Sequence, residues 1–251
     1  MSGCRRIFIG DVHGHFDGLM KLMEAIAPGQ DDQVYFVGDL IDRGPKSAQV
    51  IQFVQNHNYP CVLGNHEQLL LEAFPEGRSF TPGLGAWLHS GGQNTVNSFS
   101  DAAGLLKHLD WFQTLPTYLD LGDVWLVHAG LHPHLPLAEQ TSQEYCWIRE
   151  EFHSIPKPYF PDKLIITGHT ITFTLPGIRP GMLAQGQGWL DIDTGAYHPK
   201  SGWLTGFDFT NQMVHQVNVF QRRSRTLPLA DAITLVLPEQ ILARRRQVLH
   251  S

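Results

Sequence analysis

The sequence predicts an α/β fold, and three features carry that expectation. Strand and helix patterns alternate through the first third, and the second half is rich in strand patterns joined by loops. Apolar runs also end repeatedly on a glycine followed by Asp, Asn or His. At 251 residues the chain can bury one sizeable core and lies near the upper size for a single domain.

Ile7-Phe8-Ile9 is a short apolar run ending at Gly10, the pattern of a buried strand. Phe16, Leu19, Met20, Met23 and Ile26 recur at helical spacing until Pro28-Gly29 stops them. The apolar run 34–37 closes at Gly38. A helix follows, with Pro45 in its first turn and Val50, Ile51 and Val54 facing inward. Cys61-Val62-Leu63 reads as a third strand ending at Gly64, with a helix from Glu67 through Phe74 behind it. This βαβαβ order favours a mainly parallel sheet with right-handed crossovers. Between about 75 and 117, Gly83, Gly85 and Gly91-Gly92 interrupt mixed helical segments bearing Trp87, Trp111 and Phe112, and the stretch reads as an inserted lid. Further strands are expected at 124–127, 164–167, 189–192, 203–207 and 214–219. The catalytic domain is expected to span 1–220, with 221–251 a basic extension packing on or near it. Arg222, Arg223, Arg225, Arg244, Arg245 and Arg246 gather there, which reads as a peripheral element with a solvated basic face.

Composition narrows the function. With 42% hydrophobic and 17% charged residues the chain is neither disordered nor fibrous. A net charge of −6 offers no general attraction to nucleic acid or anionic membranes, so neither is expected as a partner. Cys4, Cys61 and Cys146 form neither a disulfide framework nor a zinc knuckle, and are expected as small buried hydrophobes in a reducing, cytoplasmic setting.

The 14 histidines are the informative excess. The first three runs end in Gly10-Asp11-Val12-His13-Gly14, Gly38-Asp39-Leu40-Ile41-Asp42-Arg43-Gly44 and Gly64-Asn65-His66-Glu67. Val127-His128-Ala129-Gly130 and Thr167-Gly168-His169-Thr170 repeat the pattern. Parallel strands bring such ends to one carboxyl edge, where open α/β folds place ligands, and the glycines permit close backbone approach. Each residue alone has a plain role: Asp11 a helix cap, Asn65 a turn residue, His128 or His169 a core histidine. Five independent roles of that kind would not all fall beside glycines at strand ends. Carboxylate and amide oxygens with imidazole nitrogens suit divalent ions such as Mn²⁺, Fe²⁺ or Zn²⁺. One carboxylate can bridge two ions about 3.5–4 Å apart, a pair that clamps the oxygens of an in-line phosphoryl displacement and acidifies a shared water to hydroxide. Asp39, on the middle run, is the candidate bridge.

The series resembles the phosphoprotein phosphatase branch of the calcineurin-like metallophosphoesterases, and most of all its small bacterial and phage protein Ser/Thr phosphatases. Symmetrical diadenosine tetraphosphate hydrolases are a sister group. The likeness runs from about residue 6 to 205 and includes the motifs GDLIDRG and GNHE. It implies two packed mixed β-sheets flanked by helices, with a dinuclear metal cleft at the strand ends. It implies one divalent ion on Asp11, His13 and Asp39 and a second on Asp39, Asn65, His128 and His169, with Mn²⁺ first and Fe, Zn or Co as alternatives. His66 would be the general acid, oriented by Asp42, and Arg43 would hold phosphate oxygens. Trp147-Ile148-Arg149 fits a family pattern that makes Arg149 a second phosphate clamp. The stretch 87–98, with Gly91-Gly92 and Thr95, and Ile192-Asp193-Thr194-Gly195 share the likeness.

One departure stands out: Leu63 occupies the position where many members carry a phosphate-binding Arg. A Leu there resembles the tetraphosphate hydrolases, whereas Asp42 and Glu67 resemble the protein phosphatases. The resemblance therefore implies a phosphomonoester hydrolase acting on phosphoserine or phosphothreonine in a protein or peptide, also phosphotyrosine, or on a small phosphate ester. The alternatives are a symmetrical tetraphosphate hydrolase, a diesterase and a non-catalytic metal-loaded adaptor. His15, His132, His134, His153 and His198 are expected behind the site or on the surface, and Trp111, Trp147 and Trp203 in packing roles.

Overall fold

The computed structural model describes residues 4–75, 82–221 and 223–249. Arg222 and the side chains of Arg245 and Arg246 lie outside the described residues. The strands, in chain order, are β1 (Arg6–Ile9), β2 (Gln33–Phe36), β3 (Tyr118–Asp120), β4 (Val124–Val127), β5 (Leu164–Thr167), β6 (Leu183–Gly186), β7 (Trp189–Asp191), β8 (Trp203–Asp208), β9 (Met213–Asn218), β10 (Arg223–Pro228) and β11 (Ile233–Leu235). They form two mixed sheets, ordered β10-β9-β8-β1-β2 and β11-β6-β7-β5-β4-β3. The parallel pairs are β1 with β2, β4 with β5, β5 with β7, and β6 with β11.

Period-two alternation explains the layering. Ile7 and Ile9 face the core that helices Phe16–Ile26, Ser47–Asn56 and Asn65–Ala73 cover, while Phe8 faces the layer between the sheets. On β4, Val124 and Leu126 meet Phe8 in that layer, whereas Trp125 and Val127 face the outer core with Tyr145, Phe152 and Ile241. Both sheets are thus buried on two faces, which is why their central strands read as near-continuous apolar runs.

Three expectations change. Cys61-Val62-Leu63 is a single bridge to Phe36, not a strand. Pro60 has no N–H to extend the ladder, and the Leu63 N–H turns away to the Pro116 carbonyl. In the lid stretch, Trp87, Leu105, Leu109 and Phe112 are buried in the first sheet's helical core. The expected boundary at 220 falls between two strands paired from Arg223↔Asn218 to Pro228↔Met213, so β10 edges the first sheet and β11 the second. No described helix is long and apolar enough to cross a membrane.

Candidate metal centre and anion cleft

The loops after β1, β2 and β5 are held in conformations that side chains rarely adopt. His13, Asp39, Asp42, Arg43 and His169 all have left-handed φ, between 45° and 71°. Such strain persists where the surroundings over-determine it, and it clusters at functional sites. The surroundings are visible here. Buried Glu67 accepts hydrogen bonds from the backbone N–H groups of Asp39 (2.9 Å), Leu40 (2.8 Å), Ile41 (3.3 Å) and Gly64 (3.1 Å). A Cβ on Gly64 would sit 2.4 Å from the Asp39 nitrogen, so only glycine permits this approach. In the sequence Glu67 belongs to the GNHE motif but carries no expected role. Its local signal is a Glu at the third position of the helix Asn65–Ala73, from which its side chain reaches back to the N-cap Gly64 N–H.

The expected ligands converge from both sheets. Asp39, His13 and His66 present donor atoms within 4.8 Å of one another, as do Asp39, His128 and His169. Asp39 belongs to both groups. The tautomers follow from what each ring touches on its outer side. His13 Nδ1–H donates to the Ile41 carbonyl (2.9 Å), and His128 Nδ1–H to the Val37 carbonyl (2.8 Å). His169 Nε2–H donates to the Trp147 carbonyl (3.3 Å). Burial lowers the pKa of all three, keeping them neutral with lone pairs turned inward.

Those lone pairs meet no proton. His128 Nε2 lies 3.0 Å and His169 Nδ1 2.8 Å from Asn65 Oδ1, and His128 Nε2 is 3.4 Å from Asp39 Oδ1. Acceptor faces acceptor throughout. Asp11 accepts the His169 N–H on Oδ2 (3.1 Å), but its buried Oδ1 has no partner. Burial, then Asp193 and Asp39, push the Asp11 pKa well up. Buried acceptors without donors are costly, and a cation among them removes the cost. The residues present therefore fit divalent metal ions.

His66 stands apart although its ring is within reach of Asp39. Its Nδ1–H donates to Asp42 (2.6 Å), and its Nε2 lies 3.0 Å from Arg43 Nη2. Asp42 is fully buried and is held from the lid stretch: Trp87 Nε1–H (3.0 Å) and Thr95 Oγ1–H (2.7 Å) donate to it. Burial works against a charged His66, but Asp39 and Asp42 outweigh it and raise its pKa. A protonated Nε2 cannot accept from Arg43, so the acid form requires the guanidinium to move off the ring.

Above the centre is a cleft of about 300 Å³. Arg43 and Arg149 line it, and the Tyr197 ring lies 4.0 Å beneath the Arg43 guanidinium. Asp193, also lining it, accepts the Gly195 N–H (2.9 Å), and burial pushes its carboxyl up to about 6. Leu63 packs into the outer core of the second sheet and adds no donor. His198 lines the cleft, whereas His153 sits behind it between the Arg149 carbonyl and Asp191. Trp147 acts through its backbone carbonyl on His169. Tyr197 and the Trp147 carbonyl had no signal in the sequence, since neither lies in a metal-ligand pattern.

A family model described as calcineurin-like phosphoesterase matches residues 4–178. Among curated proteins, the symmetrical bis(5'-nucleosyl)-tetraphosphatase of Dechloromonas aromatica is 34% identical over 128 residues, 50% of this chain and 43% of that protein. The chain thus spans about half the length of the curated relatives it matches. Among solved structures, a candidate diadenosine tetraphosphatase superposes with a TM-score of 0.61 at 21% identity, covering 90% of this chain and 94% of that one. A Saccharomyces cerevisiae protein serine/threonine phosphatase superposes with a TM-score of 0.56 at 16% identity, covering 82% and 73%. At those identities the structures show a shared fold and nothing finer.

Proposed function

Because this chain belongs to the calcineurin-like phosphoesterase family, we propose that it is a metal-dependent phosphohydrolase that cleaves dinucleoside tetraphosphates symmetrically. The observation that carries the metal-dependent reading is the convergence of proton-free acceptors from Asp39, Asn65, His128 and His169. The substrate rests on the 34% identical relative and on Leu63, the position that resembles those hydrolases.

Asp11, His13 and Asp39 would hold one ion, and Asp39, Asn65, His128 and His169 the other. When bound, such ions supply Lewis-acid stabilisation of the phosphoryl oxygens and acidify water. The chain's own groups do the rest. Arg43 and Arg149 bind the non-bridging oxygens of the attacked phosphate. An anion drawing Arg43 away from His66 frees Nε2 to carry a proton to the leaving oxygen, while Asp42 holds the ring by Nδ1–H.

A second reading, phosphomonoester hydrolysis on a phosphoserine or phosphothreonine peptide, is favoured by the intact Asp42–His66 pair. An ADP leaving group needs little protonation, whereas an alkoxide needs a positioned acid. The test is a side-by-side comparison of kcat/KM with Mn²⁺ on diadenosine tetraphosphate, phosphopeptides and p-nitrophenyl phosphate, with product analysis. The proposal expects ADP as the sole nucleotide product and at least about tenfold higher efficiency on the tetraphosphate. A phosphopeptide preference of that size would instead establish the second reading.

A further inference from the structure

The cleft continues sideways past Arg149. A recess of about 210 Å³ adjoins it, and Arg149 and Thr174 line both. Its far wall belongs to the C-terminal helix Pro238–Leu249, which Ile241 anchors in the outer core of the second sheet. From that helix the exposed Arg244 reaches back over the recess, and its Nη1 donates to the Thr174 carbonyl. Arg149 spends only Nη1 on the described residues, at the His169 carbonyl (3.2 Å) and Thr170 Oγ1 (3.2 Å). Among the described residues neither guanidinium has an ion-pair partner, and each keeps donors in hand. Glu150 and His153 also line the recess, but His153 is neutral, burial having lowered its pKa to about 4. Two guanidiniums against one carboxylate leave an electropositive recess beside the cleft.

We propose that this recess takes a second anionic group of the substrate, the phosphate next to the one attacked in a polyphosphate chain. Arg244 is then the specificity-determining residue through which the C-terminal helix selects polyphosphates over monoesters. The proposal deepens the tetraphosphate reading and rests on it. Forked donors from two arginines suit adjacent phosphates, and a monoester, having one phosphate, cannot reach both sites. The family match ends at residue 178, so this helix and its arginine are outside the matched segment.

The experiment measures kcat and KM of the Mn²⁺-loaded wild type, Arg244→Ala and Arg244→Lys on diadenosine tetraphosphate and p-nitrophenyl phosphate. It adds calorimetric binding of inorganic tripolyphosphate and orthophosphate. Arg244→Ala is expected to lose about tenfold in kcat/KM on the tetraphosphate, mostly through KM, the size of one charge-assisted hydrogen bond. It should stay within about twofold on the aryl phosphate, and Arg244→Lys should recover part of the loss. Equal losses on both substrates, or no loss on either, would overturn the proposal. If the wild type does not cleave the tetraphosphate, the tetraphosphate reading fails and the binding arm decides for the recess alone. Tripolyphosphate binding tighter than orthophosphate in the wild type, with the difference lost in Arg244→Ala, sustains the recess; equal binding sinks it.

Discussion

The two walls of the cleft are built on opposite terms. The shelf formed by the loops after β1, β2, β4 and β5 is sealed, with Asp39 and His13 each 2% exposed and His128 fully buried. On it His13, His128 and His169 each have an outer nitrogen fixed by a backbone carbonyl, and four N–H groups clamp on Glu67. The rim is loose by contrast: Arg43 and Tyr197 are half-buried, and Arg149 and Arg244 are exposed with donors to spare. On the proposed function, chemistry would fall to the sealed groups and substrate preference to the exposed ones. Losses on the shelf should be severe and insensitive to substrate, and losses on the rim graded and substrate-dependent.

Asp39→Asn is the largest test, because the one carboxylate serves both clusters. Metal catalysis is worth several kcal/mol, so turnover on every substrate should fall by about 10³-fold or more. Bound Mn²⁺ measured by elemental analysis should drop with it. A variant that keeps both its metal and its rate would remove Asp39 from the centre.

His66→Asn should divide the shelf by role. On a phosphoserine peptide, turnover should fall by about 10²–10⁴-fold, the range of general acid catalysis. The loss should be smaller on the tetraphosphate and on p-nitrophenyl phosphate, whose leaving groups need less help. Metal content should be unchanged. Should His66→Asn lose its metals, the ring is a ligand and the acid assignment is wrong.

The outer support of that ring can be read by pH. Asp39 and Asp42 hold His66 protonated above its ordinary value of 6.5 against the pull of burial. The acid is therefore present below the raised pKa and lost as pH rises through it, giving an alkaline limb in kcat for a poor leaving group. Asp42→Asn removes one raising charge, so that limb should move to lower pH, with kcat down about 10–100-fold. An unmoved limb would assign it to another group.

The same contrast explains what the sequence disclosed. Shelf residues sit beside glycines at the ends of apolar runs, so composition and position mark the loops that carry Asp11, His13, Asp39, Asn65, His66, His128 and His169. The family resemblance is what separates the expected ligands from the expected acid His66. What holds them is long-range: Trp87 and Thr95 meet Asp42 across 45 and 53 residues, and no local pattern encodes that. Strands β3, β6 and β11 escaped notice because their short runs mix polar with apolar residues, unlike the comparably short apolar β1 and β4. Strand β10 begins Arg223-Ser224-Arg225-Thr226, with no apolar run to mark it. Tyr197 escaped because its role is set by the arginine beneath which it lies, 154 residues earlier by sequence number.

Tyr197 gives the smallest effect and the finest test of the rim. Its ring supports the Arg43 guanidinium at 4.0 Å and meets the His13 ring edge-on at 4.7 Å. A cation–π contact of this partly exposed kind is worth about 0.5–1 kcal/mol. Tyr197→Leu should therefore raise KM two- to fivefold or so, through a less well held Arg43, and leave kcat close to its starting value. Tyr197→Phe keeps the ring face and should leave both constants near wild type. A fall in kcat in the Leu variant would mean that the ring also steadies His13, and a loss in the Phe variant would give the hydroxyl a part of its own. Either result would carry a rim residue over to the shelf and blur the division between walls. A KM effect alone keeps the two walls distinct, because only the guanidinium that meets substrate has then been disturbed.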